Sequence, residues 1–289
     1  SRDGLPSAAM TFADRLAHAV QETGTPLVVG IDPWPERLPG LRPGMGRAEL
    51  AQLARGFGLA VVGAAAGQVP ALKPQFAFFE ALGPAGMQAL ADICVAAREA
   101  GLLVIGDAKR GDIGSTATAY AEATLAEDAP FPCDALTVSP FLGPDTLQPF
   151  LRAADANGRG LFVLLRTSNA GSDRWQAPVV ADLSAWIDRT NAERGAYGPV
   201  GAVVGATHPE EGAALRAAMP HTWFLVPGFG AQGGSAADAR RMLRPDGLGA
   251  LINSSRGATF PSGADADFEA APERWIRARI ASVRAELRG

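Results

Sequence analysis

The chain has 289 residues, 47% of them hydrophobic and 19% charged, which is enough to bury a sizeable core and too apolar for disorder. Its net charge of −4 gives no electrostatic reason to expect nucleic acid or an anionic membrane as partner, although a local positive cluster can still hold a small anionic substrate. Two cysteines without a CxxC and three histidines without HxxxH or HExxH spacing argue against a redox motif and a zinc site; Cys94 and Cys133 are expected as buried thiols in a reducing, cytoplasmic setting.

In chain order, "SAAMTFADRLAHAVQETG" reads as a helix that precedes the first strand and closes the bottom of the fold. Eight apolar, β-branched runs follow: "LVVGID" (27–32), "ALKPQ" (71–75), "LLVIGDAK" (102–109), "ALTVSP" (135–140), "LFVLLRTS" (161–168), "VGAVVGAT" (200–207), "WFLVPG" (223–228) and "ALINSS" (250–255). Helical periodicity fills the gaps, as in "MQALADICVAAREAG", with Leu90, Ile93, Cys94 and Ala97 on one face and Gly101 at the end. "PERWIRARIASVRAELRG" reads as a final amphipathic helix. Near-continuous apolar strands alternating with helices indicate a parallel sheet covered on both faces. Eight such units predict an α/β (β/α)8 TIM barrel; an open doubly wound sheet is the structural alternative. Gly and Pro are spread along the chain, so residues 1–289 are expected to form a single domain. With no run of about 18 apolar residues and no basic-then-apolar N-terminal stretch, neither a membrane span nor a signal peptide is expected.

Polar residues cluster where the predicted strands end, and in a barrel those ends share one mouth. They are Asp32, Lys73, Asp107, Lys109, Ser168, Gln232 and Arg256. Singly each has a plain reading: Asp32 shapes a turn before Pro33, Lys73 snorkels, Ser168 is loop polarity, Arg256 is a surface cation. Their joint placement favours a site. In "GDAKRGDIGSTATAY" (106–120), Asp107 and Lys109 are two apart and point to one side of a strand. Gly111 then permits a sharp turn, and Asp112 can cap the next helix. The "RGD" at 110–112 sits at a strand–helix junction without a secretion signal, which argues against an adhesion role. "GFGAQG" at 228–233 satisfies GxGxxG, but no acid for a ribose follows the next strand. It makes better sense as half of a phosphate gripper and lid, with backbone amides and Gln232 facing Arg256 and Gly257 of the eighth loop.

Taken together, "DAKRGDIGSTA", "LKPQFAFFE", "RTSNAG", "VPGFGAQGG" and "SSRG" resemble the orotidine 5′-phosphate decarboxylase family, in its longer bacterial branch. The resemblance runs from Asp32 to Arg256, and the D-x-K-x-x-D segment is its most specific part. It implies conversion of orotidine 5′-monophosphate (OMP) to UMP and CO2 without metal or organic cofactor. The implied charged array is Lys73, Asp107, Lys109 and Asp112. Asp32 and Lys73 are implied to bind ribose hydroxyls and Ser168 the pyrimidine. Gln232 and Arg256 are implied at the phosphate, with Pro227, Gly228 and Gly257 beside them. Asp112 and Thr116 are implied to reach the neighbouring site of a homodimer.

Two other readings compete. Sugar-phosphate lyases of the same superfamily carry D-x-K-x-x-D with Mg2+, but their acidic metal ligand is expected where this chain has Lys73. A silent nucleotide-binding barrel has no evident use for two acids beside a central lysine. "PWPERLPGLRPGMG" and "GSDRWQAP" are expected as surface loops near the mouth.

Overall fold

Eight parallel strands close on themselves in sequence order. They are β1 (Leu27–Ile31), β2 (Ala71–Pro74), β3 (Leu103–Arg110), β4 (Ala135–Val138), β5 (Gly160–Arg166), β6 (Val200–Val204), β7 (Phe224–Val226) and β8 (Ala250–Ser254). The structure is a computed structural model, and it describes residues 10–194, 197–207, 209–229 and 235–288. The barrel is the predicted (β/α)8 architecture and one domain; β1 pairs with β8, which excludes the open sheet.

The apolar runs become strands because both their faces are covered. Val28, Ile105, Phe162, Leu225 and Leu251 point inward and fill the barrel. Val29, Val104, Leu161 and Val200 point outward against the helices. The C-terminal helix Pro272–Arg288 buries Ile276, Ile280, Val283 and Leu287, whose spacing of four and three residues makes one stripe.

Below the barrel lies the helix Phe12–Thr23, opened by a Thr11/Asp14 capping box. Phe12 meets Phe162 edge to face at 6.2 Å. Arg15 and Arg159 each donate to Asp134 Oδ1 at 2.7 Å, and the Val104 amide donates to Asp134 Oδ2 at 2.9 Å. Asp134 is 1% exposed, so its charge is stable there only with such partners. This end of the barrel is closed and structural.

Most strands stop short of the predicted ends. Asp32, Gln75, Ser139 and Thr167 lie past the last residue of their strands, where the chain turns out to build the mouth. β3 is the exception: it runs on to Arg110 through a register shift.

Candidate active site

The C-terminal strand ends surround a cleft of about 520 Å³. Of the sequence-predicted residues, Asp32, Lys73, Asp107, Lys109, Ser168, Pro227, Gly228 and Arg256 line it together. Gly257 follows Arg256 in a short helical turn (Arg256–Thr259) outside the lining. Asp112 and Thr116 also lie outside this chain's own cleft. Gln232 and most of the glycine-rich loop fall outside the described residues.

At the floor, one carboxylate collects four donors. Lys73 Nζ donates to Asp107 Oδ2 and Lys109 Nζ to Oδ1, each at 2.5 Å. Gln75 Nε2 adds a bond to Oδ2 at 3.0 Å, and the Thr137 hydroxyl one to Oδ1 at 3.1 Å. Burial alone would raise the Asp107 carboxyl, but Lys73 and Lys109 outweigh it and hold it well below the usual carboxylate range. Burial likewise pulls the Lys73 ammonium down, and Asp107 and Asp32 outweigh it, so its value lies above the ordinary one. The stability Asp107 contributes is therefore present above an ordinary carboxylate pKa of about 3.9 and lost as pH falls through its depressed value. That of Lys73 is present below about 10.4 and lost as pH rises through its raised value. Both stay ionised throughout the neutral range.

Asp107 and Lys109 meet, but by a route the strand pattern did not predict. Gly106 pairs with Leu136 and Arg110 with Val138, so Asp107, Ala108 and Lys109 bulge out opposite Thr137 alone. Lys109 sits at φ 49°, and among the described residues no other non-glycine has positive φ. That conformation costs about 1–2 kcal/mol. Gly111, expected as the sharp turn, lacks positive φ; its missing Cβ lets the chain pass the Ser139 carbonyl, which an added Cβ would meet at 3.0 Å. Asp112 is not the helix cap either. The helix Gly114–Leu125 has Ile113 at its N-cap, and Asp112 Oδ1 accepts from the Ile113 amide at 2.7 Å. The helix therefore starts one residue beyond the position that a cap at Asp112 requires.

The remaining walls divide by chemistry. Leu164, Val203 and Leu225 form an apolar side, and Asn253 and Asp32 extend the polar one. Asp32 Oδ1 and Asn253 Oδ1 are buried without a hydrogen-bond partner among the described residues, so each calls for a donor from whatever fills the cleft. At the rim, Arg256 lies over the Trp34 ring, 5.7 Å from its centre.

The "GSDRWQAP" segment is not a simple surface loop. Buried Arg166 donates to Ser172 and Asp173 within it and to Glu211 Oε2 at 2.7 Å. Gln176 lines the cleft and accepts from the Thr167 amide at 2.8 Å. The segment thus braces the turn that carries Ser168. Gly205 lets that turn approach: a Cβ there would lie 3.1 Å from the Ser168 backbone. The "PWPERLPGLRPGMG" segment is also anchored, since Leu38 is buried and Trp34 packs at 5.5 Å from Phe78.

Sequence reasoning missed Gln75, Thr137, Gln176 and Asn253. Gln75 had a signal, standing two residues after Lys73 in "LKPQ" and so on the same side of the chain. The others sit in ordinary strand or loop context, and only the closed barrel brings them to the site.

Comparison with known proteins agrees over most of the chain. Residues 25–260 match the model of the orotidine 5′-phosphate decarboxylase / HUMPS family. An orotidine 5′-phosphate decarboxylase of Rhodopirellula baltica is 45% identical over 97% of this chain and 100% of its own length. One from Deinococcus radiodurans is 44% identical over 88% of this chain and 91% of its own. The structure of Leishmania donovani OMP decarboxylase superposes with a TM-score of 0.74 at 34% identity, covering 96% of this chain and 98% of that one. On this evidence the chain belongs to the orotidine 5′-phosphate decarboxylase / HUMPS family.

Proposed function

We propose that the protein decarboxylates OMP to UMP and CO2, the last step of UMP synthesis. The observation that carries this reading is the Asp107 carboxylate held 2.5 Å from both Lys73 and Lys109, on the floor of a cleft whose rim bears Arg256. Loss of CO2 from C6 of the pyrimidine leaves an electron pair with no adjacent sink, so a fixed cation must stabilise it. Lys109 supplies that cation. As the C6–carboxylate bond breaks, its electron pair stays on C6, the Lys109 ammonium gives up a proton to form the C6–H bond, and the amine regains a proton from water. Asp107, kept anionic, faces the substrate carboxylate, and their repulsion is relieved as neutral CO2 departs.

The walls suit the rest of the substrate. Leu164, Val203 and Leu225 offer an apolar surface to the ring, with Ser168 at its polar edge. Asp32 and Lys73 serve the ribose hydroxyls, and the unpartnered Asp32 Oδ1 is a fitting acceptor for one of them. Pro227, Gly228 and Arg256 form the phosphate end, with Gly257 next to Arg256, and a guanidinium fork matches phosphate oxygens; the sequence-based assignment of Gln232 to the phosphate falls outside the described residues. Binding energy from that distant group orients the ring over Lys109.

The working unit is a homodimer in which Asp112 and Thr116 complete the neighbour's cleft. Both lie outside their own cleft; Ile113, next to Asp112, is 63% exposed, and Phe141, after β4, is 78% exposed. Phe141, Trp175 and Val179 share one groove suited to a second copy. The two free, buried cysteines suit a reducing cytoplasm. Among the described residues no helix is long and apolar enough to cross a membrane.

Purified protein is expected to deplete OMP, followed by its absorbance, at the same rate with and without EDTA, because Lys73 already supplies a cation at the β2 end. Unchanged absorbance overturns the function. Depletion that EDTA abolishes overturns the metal-free mechanism in favour of Mg2+-assisted chemistry.

A further inference from the structure

We propose that Thr137 is a positioning residue that holds the reacting lysine and its acid in register; this rests on the decarboxylase reading. Thr137 is 1% exposed on β4, and it is the sole β4 residue between the Leu136 and Val138 pairings where β3 spends three. A bulge of that size takes backbone amides out of the ladder, and these part-buried amides need other partners. The Thr137 hydroxyl supplies them. Its oxygen accepts from the Ala108 amide at 3.0 Å and from the Lys109 amide at 2.9 Å. Its proton has two acceptors in reach, Asp107 Oδ1 at 3.1 Å and the Gly106 carbonyl at 3.4 Å, and the shorter contact to the charged oxygen is the stronger. One hydroxyl has one proton and two lone pairs, so its capacity is fully used.

The consequence concerns function as well as folding. Lys109 holds a left-handed backbone that its side chain disfavours, and such a conformation persists only where surrounding contacts over-determine it. The Lys109 amide bond to Thr137 is such a contact, and the bond to Asp107 Oδ1 fixes the oxygen that also receives Lys109 Nζ. Thr137 therefore sets the reach of the lysine from behind, without needing to touch the ribose or phosphate end.

The test compares Thr137→Val, which keeps the shape and removes the hydroxyl, with Thr137→Ser, which keeps the hydroxyl. Thr137→Val is expected to lower kcat for OMP about 100-fold, the cost of a misplaced reacting group, while UMP affinity stays within about threefold. Thr137→Ser is expected to retain kcat within about fivefold of wild type, by keeping the bonds that position the lysine. Thr137→Ala carries the same expectation as the valine variant should that one fail to fold. A folded hydroxyl-free variant with kcat within about fivefold of wild type overturns the proposal, as does a serine variant that falls as far as the valine one. Wild-type turnover of OMP is the control that the decarboxylase reading must pass by itself; with it in hand, the ratio of variant to wild type judges Thr137 alone.

Discussion

Lys109→Ala is expected to lower kcat by roughly 10⁴- to 10⁷-fold, because it removes a charge-stabilising group worth about 10²–10³ together with a proton donor worth about 10²–10⁴. That loss corresponds to roughly 5–10 kcal/mol of barrier at about 1.4 kcal/mol per factor of ten. The fold should survive. The Lys109 side chain is 46% exposed, and without it Asp107 still holds Lys73, Gln75 and Thr137. No buried charge is left bare, which is the circumstance that makes removal of an ion-pair partner costly. Affinity for UMP should also hold, since the residues proposed for the phosphate and ribose, Arg256 and Asp32, are separate side chains of the cleft. Circular dichroism, UMP titration and steady-state kinetics on one preparation check all three statements. Turnover near the wild-type rate would remove Lys109 from the chemistry.

Asp112→Ala is expected to inactivate as well, and to be rescued in an unusual way. Chains carrying Lys109→Ala and chains carrying Asp112→Ala should each be inactive as homodimers. When the two are co-expressed, half of the dimers are mixed, and each mixed dimer has one cleft with both residues intact. Random pairing then restores about a quarter of wild-type activity, as two-fold symmetry with residues exchanged across the interface requires. If Asp112 serves its own chain, every cleft lacks one residue and mixing restores nothing. The outcome separates the two arrangements cleanly because, among the described residues, the Asp112 side chain makes only a local bond, to the Ile113 amide of its own chain. Its loss should cost little stability.

The fold was legible in the sequence because its signal is local and repeated. Each apolar run such as "LVVGI" or "ALINS" carries its own reason to be a strand buried on both faces, and eight of them leave little choice of architecture. Asp107 and Lys109 were legible because charge directly after an apolar strand is conspicuous. Their geometry was not. The strand pattern put them on one side by alternation, whereas the structure brings them together through a bulge and a left-handed lysine. A bulge depends on the partner strand, and the partner, Thr137, lies 28 residues from Lys109 in a run where threonine is an ordinary strand former. Arg166 was overlooked for the same kind of reason: it reads as the end of a strand, yet in the fold it ties β5 to Asp173 and to Glu211, 45 residues away. What escaped the sequence was the bracing behind the reacting groups, which exists only once distant segments are packed.

A crystal structure with UMP bound tests the central claim most directly. The uracil C6 is expected about 3 Å from Lys109 Nζ, within the range of a proton transfer. The phosphate is expected on Arg256, the ribose hydroxyls on Asp32 and Lys73, and Asp112 entering from the partner subunit. UMP seated with C6 away from Lys109, or with its phosphate away from Arg256, would contradict the proposed mechanism.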